Sequence, residues 1–218
     1  MILYDYWRSS SAWRVRIALH WKGIAFERRV VNLIKDGGEQ HSDEFRALNP
    51  LRQVPVLIPD EGARPIAQSM AILAYLEERF PTPPLLPADP WLRARARQLA
   101  EMVNAGIQPF QNMAGLTRLK TLGVDASAWA RDFNARGLAA LEAAAQETAG
   151  AFLIGDAPSL ADVYLVPQLY AARRWSVDLT PTPTLLRVEA TCAALPSFAA
   201  AHPDVQSDAV PVRPDPSP

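Results

Sequence analysis

The sequence predicts an α+β protein, with strands and helices mixed in its first eighty residues and helices alone in the remainder. Before residue 80, short runs rich in Val, Ile and Tyr alternate with an amphipathic helical pattern. After residue 90, segments rich in alanine, leucine and arginine show helical periodicity. The proline-rich stretch between them holds neither a helix nor a central strand. We therefore expect domains at 1–80 and 91–218, joined by a linker at 81–90.

The first domain begins with a strand, a helix and a second strand, which together form a βαβ unit. Gly23 is predicted to end the first helix, because glycine is favoured just after a helix terminus. A polar loop rich in glycine, from Lys35 to Ser42, comes before the later strands. The predicted elements are ILYDY, a helix at 12–21, AFERRVV, VPVLIPD, a short strand around Pro65-Ile66, and a helix from Gln68 to Phe80.

The second domain is predicted to be all-helical, with little strand pattern. Pro109, within GIQPFQN, lacks an amide N–H and predicts a kink in the first of its helices. The run Ser159-Leu160-Ala161-Asp162 has the spacing of a capping box at a helix start. The tail PVRPDPSP is predicted to be irregular. The predicted helices cover about 88–120, 126–149, 159–174 and 184–201.

Composition excludes several classes of partner. With 22 basic and 23 acidic residues, the net charge of −1 gives no basic field for nucleic acid or an acidic membrane. No apolar run reaches the roughly 18 residues of a membrane-spanning helix. The single Cys192 has no partner for a disulfide and no leader opens the sequence, so we expect a cytoplasmic protein. The three histidines lack zinc-ligand spacing, so we expect no metal.

The segment from Arg8 to Arg16 carries the first candidate chemistry. Ser9, Ser10 and Ser11 lie where the first helix begins, so their hydroxyls and the helix amides favour an anion. A thiolate brought there by a ligand would be stabilised, so a thiol with an ordinary pKa of ~8.5 would become ionised at neutral pH. The alternative is that the three serines only cap the helix.

Two further dipeptides extend this candidate site. Val54-Pro55 lies between a polar loop and a strand, where a cis proline would expose the valine amide and carbonyl to an extended ligand. Gln68-Ser69 begins the next helix and offers a second place for a carboxylate. An ordinary turn and an ordinary cap are the alternatives.

Several motifs together resemble the zeta class of glutathione transferases. SSSAWRVRIAL is similar to the class signature SSCxWRVRIAL, and NLIKDGGEQHSDEFRALNP, QVPVL, AQSMAILAYLEE, GIQPFQN, SLADVYLVPQ and VDLTPTPTL follow in the same order. The resemblance implies a thioredoxin-like βαβαββα domain that binds glutathione and a helical domain that covers the substrate, the glutathione transferase fold. It also implies a homodimer.

The resemblance assigns roles to individual residues. Catalytic roles fall to Ser10 and Ser11 at the sulfur, with Arg8 and Arg174 for substrate carboxylates, and Arg173 stays an alternative to Arg174. A guanidinium suits that task because it stays charged and binds carboxylates bidentately. The residues implied to bind glutathione are Ser9, Ser10, Ser11, Gln40, Val54, Gln68, Ser69, Gln108 and Asn112.

The implied activity is glutathione-dependent conversion of maleylacetoacetate to fumarylacetoacetate, in the breakdown of aromatic amino acids. The alternatives are isomerisation of maleylpyruvate, conjugation of α-halo acids, or a non-catalytic binding or scaffold protein with the same fold. Ser11 stands where the class has its motif cysteine, which argues against chemistry that needs a protein thiol. Isomerisation needs only the sulfur of glutathione. Family resemblance favours Ser10 as the donor to that sulfur.

Overall fold

The computed structural model describes residues 1–60 and 62–210. The predicted irregular tail, PVRPDPSP, lies outside the described residues. Packing divides the chain into two compact units, Met1–Thr82 with the segment from Pro196 onward, and Pro83–Leu195. The first boundary falls within the linker predicted at 81–90. Residues 196–210 pack with the first unit, although the sequence predicts them in the helical domain at 91–218.

The first unit contains a four-stranded mixed sheet. Its strands are β1 (Ile2–Asp5), β2 (Glu27–Val30), β3 (Val56–Ile58) and β4 (Ile66–Ala67), in the order β2-β1-β3-β4. β1 pairs in parallel with β2 and antiparallel with β3, and β3 pairs antiparallel with β4. The parallel pair requires the crossover helix that the sequence predicts between β1 and β2.

Three helices follow the strands of this unit: α1 (Ser10–Trp21), α2 (Asp43–Leu48) and α3 (Ser69–Arg79). Every residue of α1 from Ala12 to Leu19 is buried, including Arg14 and Arg16. α1 is therefore a central helix of the unit. Gly23 adopts a positive φ of 64° just beyond its end, as the glycine stop predicted.

The second unit contains α4 (Pro90–Asn104), α5 (Met113–Thr121), α6 (Ala126–Ala145), α7 (Leu160–Arg174) and α8 (Pro183–Ala193). The predicted kinked helix at 88–120 is wrong. α4 and α5 are separate helices with a 3₁₀ turn at Gln108–Gln111 between them, because Pro109 has no N–H to continue an α-helical ladder.

The start of α7 confirms the predicted capping box. The Asp162 carboxylate accepts hydrogen bonds from the amide and hydroxyl of Ser159, both at 2.7 Å, and from the Leu153 amide at 2.8 Å. The single helix predicted at 184–201 is wrong, because α8 ends at Ala193 and α9 (Pro196–Ala201) begins after a break. α9 packs on α1 within the first unit.

Candidate functional site

One edge of the sheet gathers every candidate residue of the first unit. Asp5 pairs with Val30, Tyr4 with Val56, and Val56 with Ala67. The segments that follow β1, β2 and β4 and the segment that precedes β3 therefore meet at the same edge. Those segments carry Arg8, Ser9, Ser10, Ser11, Gln40, Val54, Gln68 and Ser69.

The start of α1 presents amides and hydroxyls at the positive end of a helix. Ser9 is the N-cap, and its hydroxyl oxygen accepts a hydrogen bond from the Ala12 amide at 3.3 Å. The amides of Ser10 and Ser11 donate to no acceptor among the described residues, as expected for the first two helical positions. Both serines are half-buried. An anion at this point would receive amide and hydroxyl donors together.

Arg8 lies immediately before these serines. Its guanidinium stands over the Trp7 ring, 5.5 Å from the ring centroid, and forms no ion pair with the described residues. Stacking of this kind fixes the plane of the guanidinium while leaving its N–H groups to a ligand. This geometry is compatible with the expected contact to a substrate carboxylate.

The Val54-Pro55 peptide bond is cis, as the sequence predicted. The Val54 side chain packs in a buried cluster with Tyr6 and Ala12, which belong to the end of β1 and the start of α1. The N–H and C=O of Val54 form no hydrogen bond with the described residues. They are the donor and the acceptor with which an extended, peptide-like ligand can pair as an added strand.

The start of α3 is held by Arg14, a residue that the sequence does not predict to be part of the site. Buried Ser69 accepts a hydrogen bond at 3.2 Å from the Nη1 atom of Arg14, whose side chain is completely buried. The preceding Gln68 has a φ of 73°, a left-handed conformation that costs a non-glycine residue about 1–3 kcal/mol. The structure thus keeps a strained backbone and a buried cation at the predicted carboxylate site.

Gln40 lies in the loop after β2, folded back over Gly38. Its Nε2 atom donates to the Leu33 carbonyl at 3.4 Å, and its enclosed Oε1 atom has no partner among the described residues. A Cβ atom on Gly38 would contact the side-chain amide of Gln40, and the φ of Gly38 is 106°. That positive φ favours glycine at this position.

In the second unit, Gln108 and Asn112 border the 3₁₀ turn. The Asn112 side chain caps α5 by accepting from the Ala114 amide at 3.3 Å. Three side-chain amides form a closed ring of hydrogen bonds that includes Gln111 of the turn. Gln111 donates to Gln168 at 3.2 Å, Gln168 to Asn134 at 2.5 Å, and Asn134 to Gln111 at 2.9 Å.

The end of α7 separates the two candidate arginines. Arg173 forms a fork with Glu189, with its two Nη atoms 2.6 and 2.5 Å from the two carboxylate oxygens. Arg174 is the last residue of the helix and is exposed. The fork engages Arg173 in an ion pair within the second unit.

Protein sulfur takes no part in this arrangement. Cys192 is fully buried, and burial raises the pKa of its thiol well above the ordinary value, an effect increased by Asp162 and Glu189. A thiol in that state is not a nucleophile at neutral pH. Across residues 1–60 and 62–210, no three His, Cys, Asp or Glu side chains cluster to hold a metal ion, and no helix has the length and hydropathy to cross a membrane.

Comparison with known proteins places this site in a family. The model of the glutathione S-transferase N-terminal domain matches residues 8–79, and that of the C-terminal domain matches residues 135–206. Maleylacetoacetate isomerase of Rattus norvegicus is 48% identical over 95% of this chain and 94% of its own. The chain belongs to the glutathione S-transferase family. Maleylacetoacetate isomerase of Pseudomonas aeruginosa is 47% identical over 95% of this chain and 98% of its own.

Solved structures confirm the class of this glutathione S-transferase. A maleylacetoacetate isomerase from Anaeromyxobacter dehalogenans 2CP-1 with glutathione bound in its active site is 56% identical, with a TM-score of 0.87 over 96% of this chain and 97% of its own. A bacterial zeta-class maleylpyruvate isomerase is 45% identical, with a TM-score of 0.90 over 96% of this chain and 100% of its own. The zeta-class resemblance of the sequence is therefore confirmed.

Proposed function

We propose that this glutathione S-transferase is a glutathione-dependent cis–trans isomerase that converts maleylacetoacetate to fumarylacetoacetate. The observation that carries the proposal is the start of α1, where the amides of Ser10 and Ser11 have no acceptor among the described residues, in a unit that contains no cysteine. Such a place stabilises a thiolate that a ligand brings. The choice of substrate follows the relatives that are named maleylacetoacetate isomerase.

The residues of the first unit fit glutathione by their chemistry. Val54 offers an N–H and a C=O that have no partner among the described residues to the cysteinyl backbone. Gln68 and Ser69, at the start of α3, are suited to the γ-glutamyl carboxylate, because helix amides and a hydroxyl meet there. Gln40 supplies an enclosed amide, and we assign Gln108 and Asn112 of the second unit to the same ligand.

Glutathione bound here would supply a thiolate, whose reversible addition to the cis double bond allows rotation about the resulting single bond. Ser10 would keep that sulfur ionised by donating a hydrogen bond from its hydroxyl group, together with the first amides of α1. Arg8 and Arg174 bind the substrate carboxylates and oppose the negative charge that develops on the conjugated oxygen.

The test is a direct assay with glutathione and both maleyl acids. We expect loss of the maleyl absorbance, no net consumption of glutathione, and a higher kcat/KM for maleylacetoacetate than for maleylpyruvate. Failure to bind glutathione, or binding without turnover of either acid, would refute the proposal. The second outcome would support the alternative of a non-catalytic binding protein.

The serines provide a matched pair of variants. Ser10→Ala should lower turnover and raise the pKa of the bound thiol, followed by the ultraviolet absorbance of the thiolate, while Ser11→Ala should do less. Both residues occupy the first turn of α1 and are half-buried. Greater damage from Ser11→Ala would show that the donor is misassigned.

Maleylpyruvate is the second candidate substrate. The observation that favours it is the TM-score of 0.90 and 45% identity to a zeta-class maleylpyruvate isomerase. The same assay separates the two acids by their kcat/KM ratio. The homodimer and the cytoplasmic setting stay predictions, and size-exclusion chromatography of the purified chain tests the first.

A further inference from the structure

The peptide groups of Trp7 are clamped by two charged side chains. Asp208 accepts a hydrogen bond from the Trp7 amide through Oδ2 at 3.0 Å. Arg16 donates from Nη2 to the Trp7 carbonyl at 2.9 Å. The Trp7 side chain is 1% exposed, so neither backbone group has water as a ready substitute. Both polar groups of this one residue therefore depend on side chains from elsewhere in the chain.

The two clamping side chains are themselves joined through a closed ring. Arg28 contacts Asp208 at 2.8 Å and Asp5 at 2.7 Å. Arg16 Nη1 contacts both carboxylate oxygens of Asp5, at 2.7 and 2.9 Å. Two carboxylates and two guanidinium groups balance in charge, and Asp5 and Arg16 are completely buried. Each member holds its neighbours in place, because loss of one leaves charges unpaired in a dry environment.

The clamped residue directly precedes the candidate thiolate site. Arg8 and Ser9 follow Trp7, and the Ser9 amide bonds to the carbonyl of Tyr6, on the other side of the clamp, at 2.9 Å. The direction of Trp7 therefore fixes where the first turn of α1 begins. Asp208 lies 201 residues further along the chain, in the segment that also gives the Ala201 carbonyl to Arg16 at 3.1 Å.

We propose that Asp208 is a positioning residue for thiolate stabilisation, acting through the Trp7 peptide on the serine-bearing start of α1. This inference rests on the proposed function. Asp208 holds the Trp7 amide and does not itself touch the sulfur. A small displacement of the first turn weakens several hydrogen bonds to an anion at once, because such bonds weaken steeply with misalignment. The last described part of the chain thus supports the site at its beginning.

The test compares Asp208→Ala with Asp204→Ala in the full-length protein. Asp204 is the matched control, because it belongs to the same segment but is 62% exposed, with its carboxylate 3.7 Å from the His202 ring nitrogen. The probe is glutathione, and the readout is the pH titration of thiolate absorbance in the complex. We expect Asp208→Ala to raise the pKa of the bound thiol by about 0.5–1 unit, which lowers the thiolate fraction by about 3- to 10-fold at pH values well below that pKa. Asp204→Ala should match the wild type.

The titration distinguishes positioning from a purely structural role. A structural role would lower the unfolding temperature but leave the thiol pKa of folded, glutathione-saturated protein unchanged, and that result would overturn the inference. If Asp208→Ala does not fold, Asp208→Asn replaces it, since asparagine keeps one acceptor oxygen and should give a smaller shift of the same sign. A wild-type protein without a thiolate band would contradict the proposed function itself. A wild-type band that Asp208→Ala and Asp208→Asn both leave unshifted contradicts this inference alone.

Discussion

Replacing Arg174 with alanine is expected to lower kcat/KM for the maleyl diacid by about 10- to 150-fold. The estimate follows from the loss of one charge-assisted hydrogen bond, which contributes about 1.5–3 kcal/mol, and each ~1.4 kcal/mol corresponds to a factor of ten in rate. Arg174 is exposed at the end of α7, so its removal leaves no cavity in the core. Because Arg174 is assigned to the substrate and not to glutathione, glutathione affinity should stay close to that of the wild type.

The neighbouring Arg173 provides the matched control. Its fork with Glu189 joins side chains that are 47% and 18% exposed. An ion pair of that exposure contributes about 0.2–1 kcal/mol, so Arg173→Ala should lower the unfolding temperature by about 4 °C at most. Turnover of the diacid should be unaffected, because this guanidinium is already engaged within the second unit.

The assay measures steady-state isomerisation for both variants, with glutathione affinity determined separately by calorimetry. A chloro-dinitroarene is the control substrate, because it has no carboxylate and its conjugation rate should survive the loss of Arg174. The reasoning is refuted if Arg174→Ala leaves diacid turnover unchanged while Arg173→Ala destroys it. Loss of glutathione binding in Arg174→Ala would equally show that the residue serves a different ligand.

Two further predictions concern stability. Glu142, buried in α6, accepts hydrogen bonds from the amides of Thr184 and Leu185 at 3.1 and 3.0 Å, so it caps α8 from another helix. Glu142→Ala should cost about 2–4 kcal/mol in urea unfolding, and a change below about 0.5 kcal/mol would contradict this role. Burial raises the pKa of Asp162 to about 6, above its value of about 3.9 in an unfolded chain, although Leu153 and Ser159 donate to it. The folded state therefore binds the proton more tightly, and this group adds stability as the pH falls from about 6 to 4 and loses it as the pH rises through about 6. Asp162→Asn should lack that dependence, and parallel urea midpoints for the two proteins across this range would disprove the assignment.

The sequence predicted elements best where a local signal marks their ends. The helix predicted at 12–21 is observed at Ser10–Trp21, and Gly23 ends it. The helix predicted at 159–174 is observed at Leu160–Arg174, because a capping box marks its start. Helices were joined wrongly where apolar periodicity continued across a proline, as at Pro109. Periodicity indicates which residues face a core. Two consecutive helices that pack on the same core can show one continuous periodicity, so periodicity alone does not reveal the break between them.

The sequence also predicted which segments carry the site, but not what holds them. Helix starts that follow strands are recognisable locally, so the starts of α1 near Ser9 and of α3 near Ser69 are predicted. The burial of Arg14 and Arg16 is not predicted, because arginine on a helix is usually exposed. A signal was present: positions two apart lie on nearly opposite sides of a helix, and the other residues from Ala12 to Leu19 are apolar. One solvent-facing stripe does not accommodate both arginines, so at least one must be buried with a partner.

Those buried arginines explain how a site without a protein thiol keeps its geometry. Because Ser11 stands at the motif position and Cys192 is buried, the proposed reaction uses the sulfur of glutathione. The chain then contributes position and electrostatics alone, and both depend on where α1 and α3 begin. Arg14 links the two helices at Ser69, and Arg16 fixes the residue before Arg8. A buried guanidinium suits this task because it stays charged and donates in several fixed directions, so one side chain can orient several backbone groups. The hydrogen bonds that each buried guanidinium donates offset the cost of burying its charge. The same hydrogen bonds align the helix starts, and that alignment determines how strongly an anion is bound there.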